Sequence, residues 1–187
     1  MVFKNNPRWD DIKYKPSSLT SKKLRIGGLP SYIAEKKISQ QMWPHVETIL
    51  GLLPLKFLAQ VELPDKRLVY LFLGVPTLEI GEDVYEPFDE FTAALVEGGE
   101  WPDWVTLKKI SSITPDLLWS EKSVEPIGPF PQKPYWPHYD ERVPDGFGKF
   151  LFQIGEEPGG LNGINIDMET YVFWDGLDKV VLFNENY

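Results

Sequence analysis

Trp43-Pro44-His45 leads, thirteen positions on from its tryptophan, to Lys56-Phe57-Leu58-Ala59-Gln60; Trp136-Pro137-His138 leads at the same spacing to Lys149-Phe150-Leu151-Phe152-Gln153. The offset between the two blocks is 93 throughout. Upstream, Ile26-Gly27-Gly28-Leu29-Pro30 answers Ile127-Gly128-Pro129-Phe130-Pro131 at an offset of 101, and downstream Tyr70-Leu71-Phe72 answers Tyr171-Val172-Phe173 at the same 101. The first copy therefore carries eight extra residues before its tryptophan and the second carries eight after its glutamine. Self-similarity of this kind marks a repeated structural unit. We read residues 24–78 and 125–187 as two copies of it, with a basic arm at 1–23 and an acidic spacer at 79–124.

Each copy reads as mainly antiparallel β. Phe57, Ala59 and Val61 alternate with Leu58, Gln60 and Glu62, the period of two of a half-buried strand. Leu68 to Leu73 is apolar on both faces, which suits a central strand covered on both sides. Pro64-Asp65-Lys66 turns the chain between these two strands. In the second copy the connection lengthens into a glycine-rich run, a strand lies around Thr170 to Trp174, and Val180 to Phe183 is the last strand. Phe88, Phe91 and Leu95 stand at helical spacing before Gly98-Gly99, predicting a short helix in the spacer, and a second helix is expected from Tyr32 to Met42. With Pro7, Pro16 and Ser17-Ser18, the arm reads as irregular. The fold expected is α+β, mostly antiparallel β, with the two repeats packed as one compact domain around a helical spacer.

Charge is distributed unevenly. The chain of 187 residues carries a net −9, but residues 1–37 hold nine Lys and Arg against Asp10, Asp11 and Glu35, so they sum to +6 and the remaining 150 residues to −15. Between Glu79 and Asp103 lie nine acids and no Lys or Arg. Such a field repels nucleic acid and attracts basic partners. No run reaches the roughly 18 apolar residues of a membrane helix, and Met1 to Asn6 lacks a signal-peptide pattern. The absence of cysteine excludes disulfides and thiolate metal sites and suits a reducing cytoplasm. The expectation is a soluble cytoplasmic protein that engages neither nucleic acid nor membrane.

Catalytic motifs are missing. There is no Gly-x-Ser-x-Gly and no His-Glu-x-x-His, and the glycine run 155–163 lacks the Gly-Lys-Ser/Thr ending of a phosphate loop while Glu156 and Glu157 would repel phosphate. Adjacent acids are too common (Glu82/Asp83, Asp89/Glu90, Asp140/Glu141) for any pair to stand out. The seven tryptophans offer a sugar-binding alternative, with two acids cutting a glycosidic bond. His45 and His138 are the only histidines and hold equivalent repeat positions. A metal held between them, with Asp140 or Glu47, is weighed against each histidine simply bonding to backbone after its Trp-Pro bend, and the second is preferred. Gln60 and Gln153 sit in apolar strands and must find partners there. No catalytic residue, metal or cofactor is assigned. The candidate partner-binding residues are Glu82, Asp83, Tyr85, Glu86, Asp89, Glu90, Trp101, Asp103 and Trp104, which mix aromatic anchors with acids outside the repeats.

The order Gly27-Gly28-Leu29-Pro30, Trp43-Pro44, Phe57 to Leu63 and Tyr70-Leu71-Phe72, repeated more loosely as Gly128 to Pro131, Leu151-Phe152-Gln153 and Tyr171-Val172-Phe173, resembles the YwqG-like family of bacterial proteins of unknown function. The resemblance spans about two-thirds of the chain. It implies an internally duplicated α+β domain, related to chaperones of the programmed-cell-death-two type that hold ribosomal proteins, with immunity proteins of toxin systems suggested among bacterial members. It defines no catalytic residues, and the zinc-binding cysteines of some eukaryotic relatives have no counterpart here. The expectation is therefore a non-enzymatic immunity protein that neutralises a basic toxin domain. The alternatives are a chaperone-like holder of a basic polypeptide, using a groove between the repeats, and a carbohydrate-active or other small-molecule enzyme.

Overall fold

A computed structural model describes residues 12–18, 21, 23–31, 42–48, 51–74, 92–110, 118–128, 133–134, 146–155 and 168–186. Among them run β1 (Tyr14–Pro16), β2 (Arg25–Gly27), β3 (Met42–Thr48), β4 (Gly51–Glu62), β5 (Leu68–Gly74), β6 (Thr92–Val96), β7 (Val105–Lys109), β8 (Ser123–Pro126), β9 (Lys149–Ile154), β10 (Met168–Trp174) and β11 (Val180–Asn186). The protein is mostly antiparallel β, as its alternating apolar pattern predicts. Among the described residues no helix is long and apolar enough to cross a membrane.

The twelve-residue β4 organises an eight-stranded sheet. Its first residues pair with β3 from His45↔Pro54 to Thr48↔Gly51. Its later residues pair with β2 (Arg25↔Gln60, Ile26↔Ala59) and, from Leu55 to Glu62, with β5. From there β3 extends the sheet to β7, β2 to β8 and β1, and β5 to β6. A second sheet has the order β11-β10-β9. The hairpin expected at Pro64-Asp65-Lys66 closes through Leu63 N–H to Arg67 O (2.7 Å) and Lys66 N–H to Leu63 O (2.9 Å).

Three sequence expectations change. Thr92–Val96 lies as a strand against β5, from Leu73↔Thr92 to Val69↔Val96, where a helix end was expected. Ala93 and Leu95 face one core and Ala94 and Val96 the other, so two apolar faces reward a strand with period two. The edge of β5 also needs a hydrogen-bonding neighbour, and this outweighs the local spacing. Residues 79–91 and 32–41 lie outside the described residues, and Met42, expected to end a helix, begins β3. Tyr14–Pro16, expected to be irregular, is a strand paired with β8.

The meanders β4-β5-β6 and β9-β10-β11 share their register. Gln60 pairs with Tyr70 and Gln153 with Tyr171; Phe57 pairs with Phe72 and Phe150 with Phe173. Each ladder shifts register between those two pairs, at Leu58 in one and Leu151 in the other. The Phe57–Phe72 and Phe150–Phe173 rings both sit 5.5 Å apart, at 66° and 61°. A bulge adds one residue and turns the following side chains to the other face. Phe57 accordingly belongs to one core and Ala59 and Val61 to the other, which corrects the unbroken alternation read from the sequence.

One core joins the two sheets: Leu58, Ala59 and Leu71 from the larger meet Phe152, Ile154 and Val172 from the smaller. The other covers the far face of β4 and β5 with Trp43, Phe57, Phe72 and Trp119. Trp43 is fully buried, and its indole donates to Leu55 O at 2.7 Å. At the rim, the Arg67 guanidinium of the β4–β5 turn bonds to Asp65 and also reaches Asp178 and Leu177 O of the β10–β11 turn, tying the two tips together.

Candidate functional site

Of the expected partner-binding residues, Glu82, Asp83, Tyr85, Glu86, Asp89 and Glu90 lie outside the described residues. Trp101, Asp103 and Trp104 lie between β6 and β7, where Val105 N–H closes a turn onto Pro102 O at 2.9 Å. Trp101 is half-buried with its ring 5.2 Å from Phe72, so it packs on the aromatic core. Asp103 and Trp104 are exposed at the turn, and Glu97 and Glu100 are exposed on the same connection. The visible part of the acidic stretch is thus a loop with three acids and one outward tryptophan, the mix of charge and aromatic area that suits protein contact.

The repeated polar residues have structural partners. His45 places Nδ1 2.9 Å from Trp43 O, the backbone bond preferred above; His138 lies outside the described residues. Gln60 Oε1 accepts from Ser31 N–H (3.0 Å) and from Arg25 (2.6 Å). Gln153 donates its amide to the buried Glu169 at 2.7 Å.

Arg25 was not anticipated. Its guanidinium is fully buried and donates to Gly27 O (2.8 Å), Leu29 O (2.7 Å) and Gln60 Oε1, and lies 5.7 Å from the centre of the Phe57 ring. No carboxylate pairs with it among the described residues, and its Nε has no partner. Burial pulls its pKa down to about 10, so it stays charged at neutral pH. The loop it holds needs glycine: Gly28 has φ +73°, and a Cβ there would stand 2.8 Å from Arg25 Nη1 and from Ser123 Cβ. The sequence signal was a charge set between the apolar Leu24 and Ile26, two positions before Gly27-Gly28.

The best-built polar cluster joins the arm to the body. Glu125, in the middle of β8, is only 9% exposed. Its Oε2 accepts from Ser21 Oγ (2.6 Å) and Ser17 Oγ (3.2 Å), and its Oε1 lies 2.9 Å from Lys15 Nζ. Beside it a depression of about 600 Å³ is lined by Pro16, Ser18, Ser21, Lys23, Glu62 and Glu125. The Ser21 hydroxyl, then Lys15, hold the Glu125 carboxyl well below its usual 4.5, at about 2. A depressed carboxyl stabilises the folded form above its unfolded pKa, and that contribution is lost as pH falls through the folded value. The arm is therefore expected to stay docked down to about pH 4.5 and to loosen between there and about pH 2. The amide signals of Ser17 and Ile127, which bond Ser123 O and Lys13 O, report it by NMR; no change down to pH 2 would contradict the clamp.

The chain matches no family model, and neither curated proteins nor solved structures yield a significant match. The class that the fold and site define is a mostly antiparallel β protein of acidic net charge, in which Tyr14–Pro16 lies against β8.

Proposed function

We propose that the protein is a non-catalytic module that binds a basic protein, acting as an immunity protein that neutralises a toxin domain. The observation that carries this reading is the segregation of charge, −15 over residues 38–187 with nine acids from Glu79 to Asp103. Long-range attraction of that kind steers a basic partner to the surface and speeds encounter. The exposed Asp103 and Trp104 supply a charged and an aromatic contact at the end of the acidic stretch. The matched registers and bulges of the two meanders support an internal duplication, in keeping with the resemblance to YwqG-like proteins, which rests on its short motifs. Among the described residues, Phe152, Ile154 and Val172 pack against Leu58 and Leu71 between the two meanders, which favours a folded partner over a chaperone-like groove at that place. A packed body suits one folded partner better than many unfolded ones.

Charge reversal of Asp89 and Glu90 to lysine is expected to slow association with the partner about tenfold at low salt and to flatten its salt dependence. Stopped-flow association rates that are unchanged would contradict the acidic stretch as the steering surface.

A further inference from the structure

We propose that the outer edge of β8, with Glu125 at its centre, is a docking site for an extended lysine-bearing segment of a protein partner, and that the chain's own arm fills it in cis. The proposal deepens the reading of a basic-partner binder and rests on it. The recognition chemistry is already present in the molecule. Among the described residues, the side-chain partners of the Glu125 carboxylate are Lys15, Ser17 and Ser21, all from the arm. The body supplies a nearly buried carboxylate and the arm supplies a cation and two hydroxyls.

Backbone pairing and a bond from the Ser123 hydroxyl to Ser17 O (3.3 Å) also hold the described part of the arm. Three residue pairs join β1 to β8 (Tyr14↔Pro126, Lys15↔Glu125, Pro16↔Val124), extended by Ser17 N–H to Ser123 O and Ile127 N–H to Lys13 O. Among the described residues of the arm, Lys15 and Pro16 are exposed, and Ile12 and Tyr14 pack against the core. On its other side β8 pairs with β2, so departure of the arm leaves one open strand edge. Open edges accept an added strand, with main-chain bonds giving affinity and side-chain sites giving selectivity. Here the selective position is the one opposite Glu125, beside a depression lined by Glu62 and Glu125 and also by Lys23. The occupant's chemistry is set by charge: residues 1–23 sum to +4 and residues 24–187 to −13. A tethered arm competes at an effective concentration of the order of mM, so an external segment gains access when the arm is weakened or outmatched.

The test uses the full-length chain and a labelled synthetic peptide of residues 12–23, which carries Lys13, Lys15, Lys22 and Lys23. Lys15→Glu sets a second carboxylate against Glu125 and expels the arm. Fluorescence anisotropy is expected to show at least tenfold tighter peptide binding by this variant than by the unmodified protein. Adding Glu125→Gln should remove the gain, as should replacing Lys13 and Lys15 of the peptide by glutamine. Equal binding by Lys15→Glu and unmodified protein, or a gain that survives Glu125→Gln, would overturn the docking edge. If the unmodified protein nevertheless captures a basic partner in a salt-dependent way, that failure leaves the binding function standing; the two failures are therefore separable.

Discussion

Arg25→Met is expected to lower stability to unfolding by roughly 2–5 kcal/mol, by a balance of two opposing contributions. The guanidinium donates three bonds to Gly27 O, Leu29 O and Gln60 Oε1. Bonds from a charged donor contribute about 1.5–3 kcal/mol each, or roughly 5–9 together. Against them stands the burial of a cation with no carboxylate partner among the described residues, which pulls its pKa down to about 10. Burying an ion without a counter-charge costs several kcal/mol. Methionine relieves the burial cost but leaves the loop carbonyls without donors. Arg25→Lys should restore little, because an ammonium cannot reproduce the fork that spans three oxygens and lies against Phe57. Urea unfolding measures both; a loss under about 1 kcal/mol for methionine would show that water replaces the guanidinium bonds at little cost.

The second large effect is expected at Trp43. Trp43→Ala removes a fully buried ring lying 5.5 Å from Phe72 and 5.6 Å from Trp119, and should cost about 3–5 kcal/mol. Trp43→Phe keeps much of the volume but deprives Leu55 O of its indole donor, for an expected loss of about 1–3 kcal/mol. Trp104→Ala is the control: its side chain is 39% exposed, and its loss should stay within about 0.5 kcal/mol. Similar unfolding midpoints for Trp43→Ala and Trp104→Ala would overturn the division between core and surface tryptophans.

The strands carrying strict alternation or two-sided apolarity were legible: the β4–β5 hairpin, β10 and β11 all lie where the pattern puts them. The bulges at Leu58 and Leu151 were not, since a bulge leaves an apolar run apolar and changes only the face each residue meets. Thr92–Val96 was misread because Ala93, Leu95 and Val96 suit a helix and a strand equally, and the open edge of β5 decided between them. Glu125 and Arg25 escaped notice for a related reason. Each gains its meaning from residues far along the chain, Glu125 from Ser17 and Ser21 and Arg25 from Gln60, and no local spacing records such meetings. The acidic stretch was legible as charge, yet only its end, from Thr92 to Asp103 and with Glu97, Glu100 and Asp103 as its acids, falls among the described residues.

The central claim is that this acidic β body binds a basic protein. Affinity capture with the full-length chain from its native host, at low and then moderate salt with mass-spectrometric readout, tests it most directly. The account predicts one stoichiometric basic partner, released as salt rises. A clean preparation without a partner, or a partner whose retention ignores salt, would contradict it.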